Sequence, residues 1–201
     1  MYLNLYPISS GLMLMAIVLL GCSDKKPPEQ EIAIKPNFVF ILIDDLGWAD
    51  LPMYGNKFNE APNIEKLAGQ GMVFTNAYAA CAVCSPTRAS IQSGQYPATV
   101  GITDFITGHW RPYEEVVVPK NRTQYLPNAI ITFAERLKGA GYTNGYFGKW
   151  HLGWEGHMPI DQGYDEQAVT MGRFFGYNIN TIPEREYDNT KVLANTLTDM
   201  S

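Results

Sequence analysis

Phe38-Val39-Phe40-Ile41-Leu42-Ile43-Asp44-Asp45-Leu46-Gly47 is the stretch on which the reading of the fold turns. Its continuous apolar run, rich in branched and aromatic side chains, has the composition of a strand covered on both faces, as in a parallel sheet between helices. The run ends in adjacent carboxylates. In open α/β sheets, ligands lie beyond the carboxyl ends of the strands, so an acidic pair there is placed to meet a hard cation. Successive strand side chains point apart, but a turn at the strand end brings both carboxylates to one ion. The alternative is a turn acid beside a helix cap.

Working outward, Pro62-Asn63-Ile64-Glu65-Lys66-Leu67-Ala68 reads as a short helix stopped by Gly69 and Gly71, and residues 72–77 read as a second strand. That strand delivers the chain to Cys81-Ala82-Val83-Cys84-Ser85-Pro86-Thr87-Arg88. Ser85 suits a helix cap and Pro86 a first helical position, which leaves Cys84 just outside a helix mouth. Unpaired N–H groups and the positive end of the helix dipole favour negative charge there, and Arg88 adds a full charge one turn in. A thiol so placed is acidified and reactive. The other readings are a buried structural cysteine and, with Cys81, a C-x-x-C redox dithiol. Only three cysteines occur in the chain, which excludes a zinc ribbon.

Residues 128–138 form the clearest predicted helix, with Ile130, Phe133, Ala134 and Leu137 on one face and Gly139 and Gly141 closing it. A third strand is expected at residues 142–147, followed by Gly148-Lys149-Trp150-His151-Leu152-Gly153. Lys149 and His151 flank Trp150, so in an extended segment they point the same way. With Arg88 they suggest an anionic ligand; the alternative is a surface lysine and a hydrogen-bonded histidine. His109, among aromatics, reads as structural or as part of a pocket rim.

At the start of the chain, residues 11–20 are a short apolar run ending in Leu19-Leu20-Gly21-Cys22. The run is too short to span a bilayer and suits a signal peptide. Its end resembles a bacterial lipobox, in which Cys22 is lipidated. The expected organisation is a lipoprotein-type signal peptide over 1–22, a tether over 23–36 and one catalytic portion over 37–201. Export to the periplasm or cell surface of a bacterium follows, with membrane contact through a lipid anchor only. In that oxidising setting Cys81 and Cys84 can close a disulfide unless Cys84 is chemically changed first. A net charge of −5 and the absence of a basic tract exclude a nucleic-acid footprint.

Cys84-Ser85-Pro86-Thr87-Arg88-Ala89-Ser90 resembles the modification signature of the sulfatase family, within the alkaline-phosphatase-like superfamily. Residues 141–153 resemble its second signature, and Asp44-Asp45-Leu46-Gly47 resembles its first metal motif. Ala61-Pro62-Asn63-Ile64 and Pro159-Ile160-Asp161-Gln162-Gly163-Tyr164-Asp165 also match in order and spacing. The chain departs from the family at Gln92, Ser93 and Asn144, where an apolar residue, Thr, and Thr or Ser are more usual. The resemblance implies an α/β fold: the N-terminal part of an alkaline-phosphatase-like three-layer sandwich, with a mainly parallel sheet between helices.

The resemblance also implies a sulfuric ester hydrolase acting on a sulfated carbohydrate or aryl sulfate. Cys84 is then the site that a separate maturation enzyme converts to formylglycine, and the hydrated aldehyde attacks sulfur. A calcium ion held by Asp44, Asp45 and the modified Cys84 activates that oxygen. Arg88 stabilises the ionised diol, Lys149 holds the diol and a sulfate oxygen, and His151 takes the proton that lets the intermediate expel sulfate. Other readings are a phosphate or phosphonate ester hydrolase of the same superfamily, a non-catalytic sulfated-glycan binder, and an inactive truncated fragment. In the family an Asp-Asn pair, a His and a Lys lie further downstream. Asp188-Asn189 has a polar context and reads as a solvated turn or helix cap, so the 201-residue chain alone is expected to be poorly soluble and inactive.

Overall fold

The computed structural model describes residues 35–106, 123–170 and 178–188. The chain divides into two compact units, the first ending at Ile43 and the second beginning at Asp44.

In the first unit, residues 35–43 form neither helix nor strand, and their side chains are exposed, Val39 at 86% and Ile41 at 73%. The expected strand over Phe38–Ile43 is therefore corrected. Apolar composition predicts burial, whereas a strand is defined by a hydrogen-bonded ladder to a neighbour that the local sequence does not specify.

The second unit holds helices α1 (Pro62–Gln70), α2 (Cys84–Ser93), α3 (Pro97–Val100) and α4 (Phe133–Gly139), and strands β1 (Gly145–Lys149), β2 (Glu166–Thr170) and β3 (Asn180–Ile182). The strand expected at residues 72–77 is likewise not formed; that stretch is irregular and exposed. α1 starts where expected, on the Pro62 that suits a first helical turn, and runs on to Gln70 before Gly71.

α4 begins later than the apolar spacing predicted. Thr132 caps it, accepting from Glu135 N–H at 3.1 Å while the Glu135 carboxylate accepts from Thr132 N–H at 2.7 Å. This reciprocal box satisfies two free donors at once, so it sets the start of the helix more firmly than the apolar face does.

β1 begins three residues beyond the predicted start. The reason is Asn144, whose side chain donates to Ala134 O at 2.9 Å and Gly163 O at 3.1 Å, and whose carbonyl accepts from Asp165 and Glu166 N–H. Those bonds hold the preceding residues in a turn. Gly163, with φ of 93°, passes so close to α4 that a Cβ would meet Glu135 N at 2.6 Å. Only glycine fits this crossing.

β1 and β2 pair in parallel from Gly145↔Glu166 to Lys149↔Thr170, and β3 adds to β2 antiparallel, giving the order β1-β2-β3. β2 is covered on both faces: Val169 joins the main core with Ala89, Ile102, Leu126, Ala134, Trp150, Leu152 and Tyr164, while Ala168 packs with Ile179 on the other side. Trp150 is fully buried, with edge-to-face contacts to Tyr146 and Tyr164. Its indole N–H donates to His157 O at 2.7 Å, so the ring is buried without an orphaned donor. This Trp150 anchor fixes the segment between Lys149 and His151.

Candidate active site

α2 presents Cys84 as its first residue, with Val83 extended at the cap position. The expected Ser85 cap is corrected: Ser85 and Pro86 lie one and two positions into the helix, both buried. Pro86 is tolerated because the first-turn N–H groups have no intrahelical partner. The approach to the helix is held by Thr87, whose hydroxyl donates to Cys81 O at 2.7 Å and accepts from Cys81 N–H at 3.2 Å. Cys81 and Cys84 are both free thiols, so the disulfide considered from the sequence is not formed.

One turn on, Arg88 is buried at 6% exposure. Its guanidinium donates to Asp44 Oδ1 at 2.9 Å and to the Lys149 carbonyl at 2.5 Å, and meets the Tyr146 hydroxyl at 3.5 Å. Its Nε is buried with no hydrogen-bond partner among the described residues. The other Asp44 oxygen accepts from Lys149 Nζ at 2.6 Å. Burial alone raises the Asp44 pKa, but the Lys149 and Arg88 hydrogen bonds and charges outweigh it and hold the carboxyl below its ordinary value. Two cations against one carboxylate leave this cluster positive, which favours an anion beside it.

His151 follows from β1 through the buried Trp150 and takes a φ of 57°, so the segment is not extended as predicted. The side chain nevertheless reaches Cys84, with Nδ1 at 3.2 Å from Sγ, while Nε2 donates to the Ile106 carbonyl. A carbonyl has no proton to give, so Nε2 carries the ring hydrogen and Nδ1 presents a lone pair to Cys84. Burial is the main cause that lowers the His151 pKa; the Ile106 bond opposes it, and Lys149 and Arg88 add to it. The neutral form is thereby favoured, and a neutral imidazole can accept a proton from whatever residue 84 carries.

The structure therefore brings Cys84, Arg88, Lys149, His151 and Asp44 together. Asp45 is exposed, with φ of 56°. A calcium ion takes six to eight oxygens. Among the described residues no group of three or more His, Cys, Asp or Glu gathers to hold a metal ion, and both Asp44 oxygens are engaged by Arg88 and Lys149. The terminal nitrogens of Arg88 serve Asp44 and the Lys149 carbonyl.

Sequence reasoning missed Tyr146, whose hydroxyl donates to the Lys149 carbonyl at 2.6 Å, and the Ile106 carbonyl that orients His151. Neither carries a local signal. Cys22, His109 and Asn189 lie outside the described residues, and Asp188 is exposed in an irregular stretch. Two departures from the family pattern have structural uses: Asn144 ties α4 to the β2 approach, and Gln92 accepts from the Tyr164 hydroxyl at 3.0 Å.

Comparison with known proteins identifies the family. The family model described as Sulfatase matches residues 36–200. An N-acetylgalactosamine-6-O-sulfatase of Bacteroides thetaiotaomicron is 39% identical over 151 residues, which cover 75% of this chain and 26% of the relative. An N-acetylgalactosamine-6-sulfatase of Sus scrofa is 39% identical over 142 residues, covering 70% of this chain and 26% of the relative. The crystal structure of Ps i-CgsB superposes with a TM-score of 0.64 at 25% identity, covering 78% of this chain and 38% of that one. The same protein has been solved with k-i-k-neocarrahexaose; there the TM-score is 0.56 at 30% identity, over 66% of this chain and 28% of that one.

The chain belongs to the sulfatase family. Its fold is the N-terminal part of the alkaline-phosphatase-like α/β architecture. It spans about a quarter of the length of the curated relatives it matches.

Proposed function

We propose that the whole protein hydrolyses a sulfuric ester carried on a carbohydrate. The observation that carries this reading is the placement of His151 Nδ1 at 3.2 Å from Cys84 Sγ, next to the Arg88–Asp44–Lys149 cluster. The head of α2 and the positive cluster draw the sulfate. Lys149 Nζ, a partly exposed ammonium with three protons, binds a sulfate oxygen while remaining paired with Asp44. Arg88 holds Asp44 and the Lys149 carbonyl in register. His151 Nδ1 accepts a proton from the group on residue 84 and so assists its attack or the release of sulfate.

Formylglycine at Cys84 supplies a hydrated aldehyde whose oxygen is the nucleophile, and a cation held in part by Asp44 and Asp45 supplies electrophilic charge. The relatives named as N-acetylgalactosamine-6-sulfatases support a sulfated amino sugar or related glycan as substrate. The export reading, with Cys22 lipidated, belongs to the same proposal; a lipid-free Cys22 in the N-terminal peptide of the natural protein would remove it.

The test is turnover of a sulfated monosaccharide by protein produced with a maturation enzyme, beside the corresponding phosphate ester. Sulfate release with little phosphate release supports the reading. A preference for phosphate, or binding without turnover, replaces it with the phosphatase or the glycan-binder alternative.

A further inference from the structure

We propose that Ser85 is a positioning residue for His151, holding both its backbone and, through the backbone of Ile106, its imidazole; the catalytic part of this rests on the hydrolytic reading above. Ser85 is fully buried in the first turn of α2. Its hydroxyl donates to the His151 carbonyl at 2.9 Å and accepts from Ile106 N–H at 3.1 Å. The Ile106 carbonyl accepts in turn from His151 Nε2. Residues from three separate parts of the chain thus close a hydrogen-bonded ring around a single hydroxyl.

That hydroxyl has a chemistry no apolar side chain of its size replaces. One atom must donate to a partly buried carbonyl and accept from a buried N–H. His151 also sits at φ of 57°, a left-handed conformation that disfavours a Cβ and persists only where the surroundings hold it. The Ser85 bond to its carbonyl is one such restraint. The second restraint acts on the ring: with Ile106 N–H fixed by Ser85, the Ile106 carbonyl stays aimed at Nε2, and the lone pair of Nδ1 stays aimed at Cys84. A general base oriented by a third group is the arrangement that makes proton transfer efficient. Ser85 touches no reacting atom, so its effect is on rate through His151 and not on substrate affinity.

The experiment compares wild-type protein, produced with a maturation enzyme, with Ser85→Ala and Ser85→Thr. Conversion of Cys84 is measured by peptide mass spectrometry, and rates are expressed per converted site, so that a maturation defect is not read as a kinetic one. Ser85→Ala lowers kcat by about tenfold to a hundredfold and leaves KM within about twofold. Ser85→Thr, which keeps the hydroxyl, restores most of the rate. In ¹⁵N-histidine spectra, His151 of the wild type carries its proton on Nε2, and Ser85→Ala shows a mixture of tautomers.

An unchanged kcat per converted site in Ser85→Ala overturns the proposal, as does an equal loss in both variants. A wild-type His151 protonated on Nδ1 also overturns it, and that measurement stands even if Ser85→Ala does not fold. Wild-type protein without sulfate ester turnover, but with the tautomer and its loss as stated, defeats the hydrolytic reading and keeps Ser85 as the positioner of His151.

Discussion

Replacing Asp44 by Asn tests the charge cluster most directly. Asp44 joins Arg88, whose side chain is 7% exposed, to Lys149 at 21%, and is itself 29% exposed. Asn keeps the shape and one acceptor, so Arg88 retains a hydrogen bond to an uncharged partner, but the amide turns its N–H groups toward one of the two cations. A bond involving a charged group contributes about 1.5–3 kcal/mol, so the exchange loses the ion pair at Arg88 and the whole bond at Lys149. Arg88 is then left buried without its counter-ion. For a fully buried pair that costs about 3–5 kcal/mol, which solvent access at Asp44 and Lys149 reduces. The expected destabilisation is therefore about 2–3 kcal/mol. The assay is equilibrium urea unfolding of the whole protein in EDTA, which keeps lost cation binding out of the comparison. A midpoint shift corresponding to less than about 0.5 kcal/mol would refute the reasoning, because it would mean that Asp44 is not the counter-ion of a buried Arg88.

Three further outcomes follow from the same geometry. Thr132→Ala removes the capping box of α4 and costs about 1 kcal/mol by chemical denaturation, with Thr132→Ser close to wild type. His151→Asn lowers kcat by about a hundredfold or more while Cys84 conversion, read by peptide mass, stays normal; full turnover in this variant removes His151 from proton transfer. Asp165 has its pKa lowered first by its hydrogen bond to Lys138, at 2.6 Å, and then by the Asn144 N–H. A carboxylate whose folded pKa is depressed stabilises the fold above its unfolded pKa and ceases to do so as pH falls through the folded value. Asp165→Asn should therefore flatten the decline in stability below about pH 4, and an identical acid limb in both proteins would count against the pairing.

Much of the candidate site was legible from residue order. Cys84, Pro86 and Arg88 mark the first turn of a helix because Pro suits backbone positions whose N–H has no intrahelical partner, and Arg88 lies one turn on by helical geometry alone, although Ser85 is not the cap. The Pro62 helix start and the Thr132–Glu135 box are equally local, although the box was overlooked in favour of the apolar spacing and the start of α4 was misplaced for that reason. Lys149 and His151 were expected to face one way through strand alternation. They converge through a left-handed His151 and not through strand alternation.

What sequence determined by itself was therefore the family, the order of the chemistry-bearing residues and the helix ends, all set by interactions within a few residues of each other. Tertiary structure decided the rest. The strands predicted at Phe38–Ile43 and 72–77 failed because a ladder needs a partner that apolarity cannot name. The tautomer of His151 depends on the Ile106 carbonyl 45 residues away, and the charge balance of the site depends on Asp44 meeting Lys149 across 105 residues. Hydrogen bonds and charges act over a few ångströms of space regardless of separation along the chain, and only the folded backbone sets those distances.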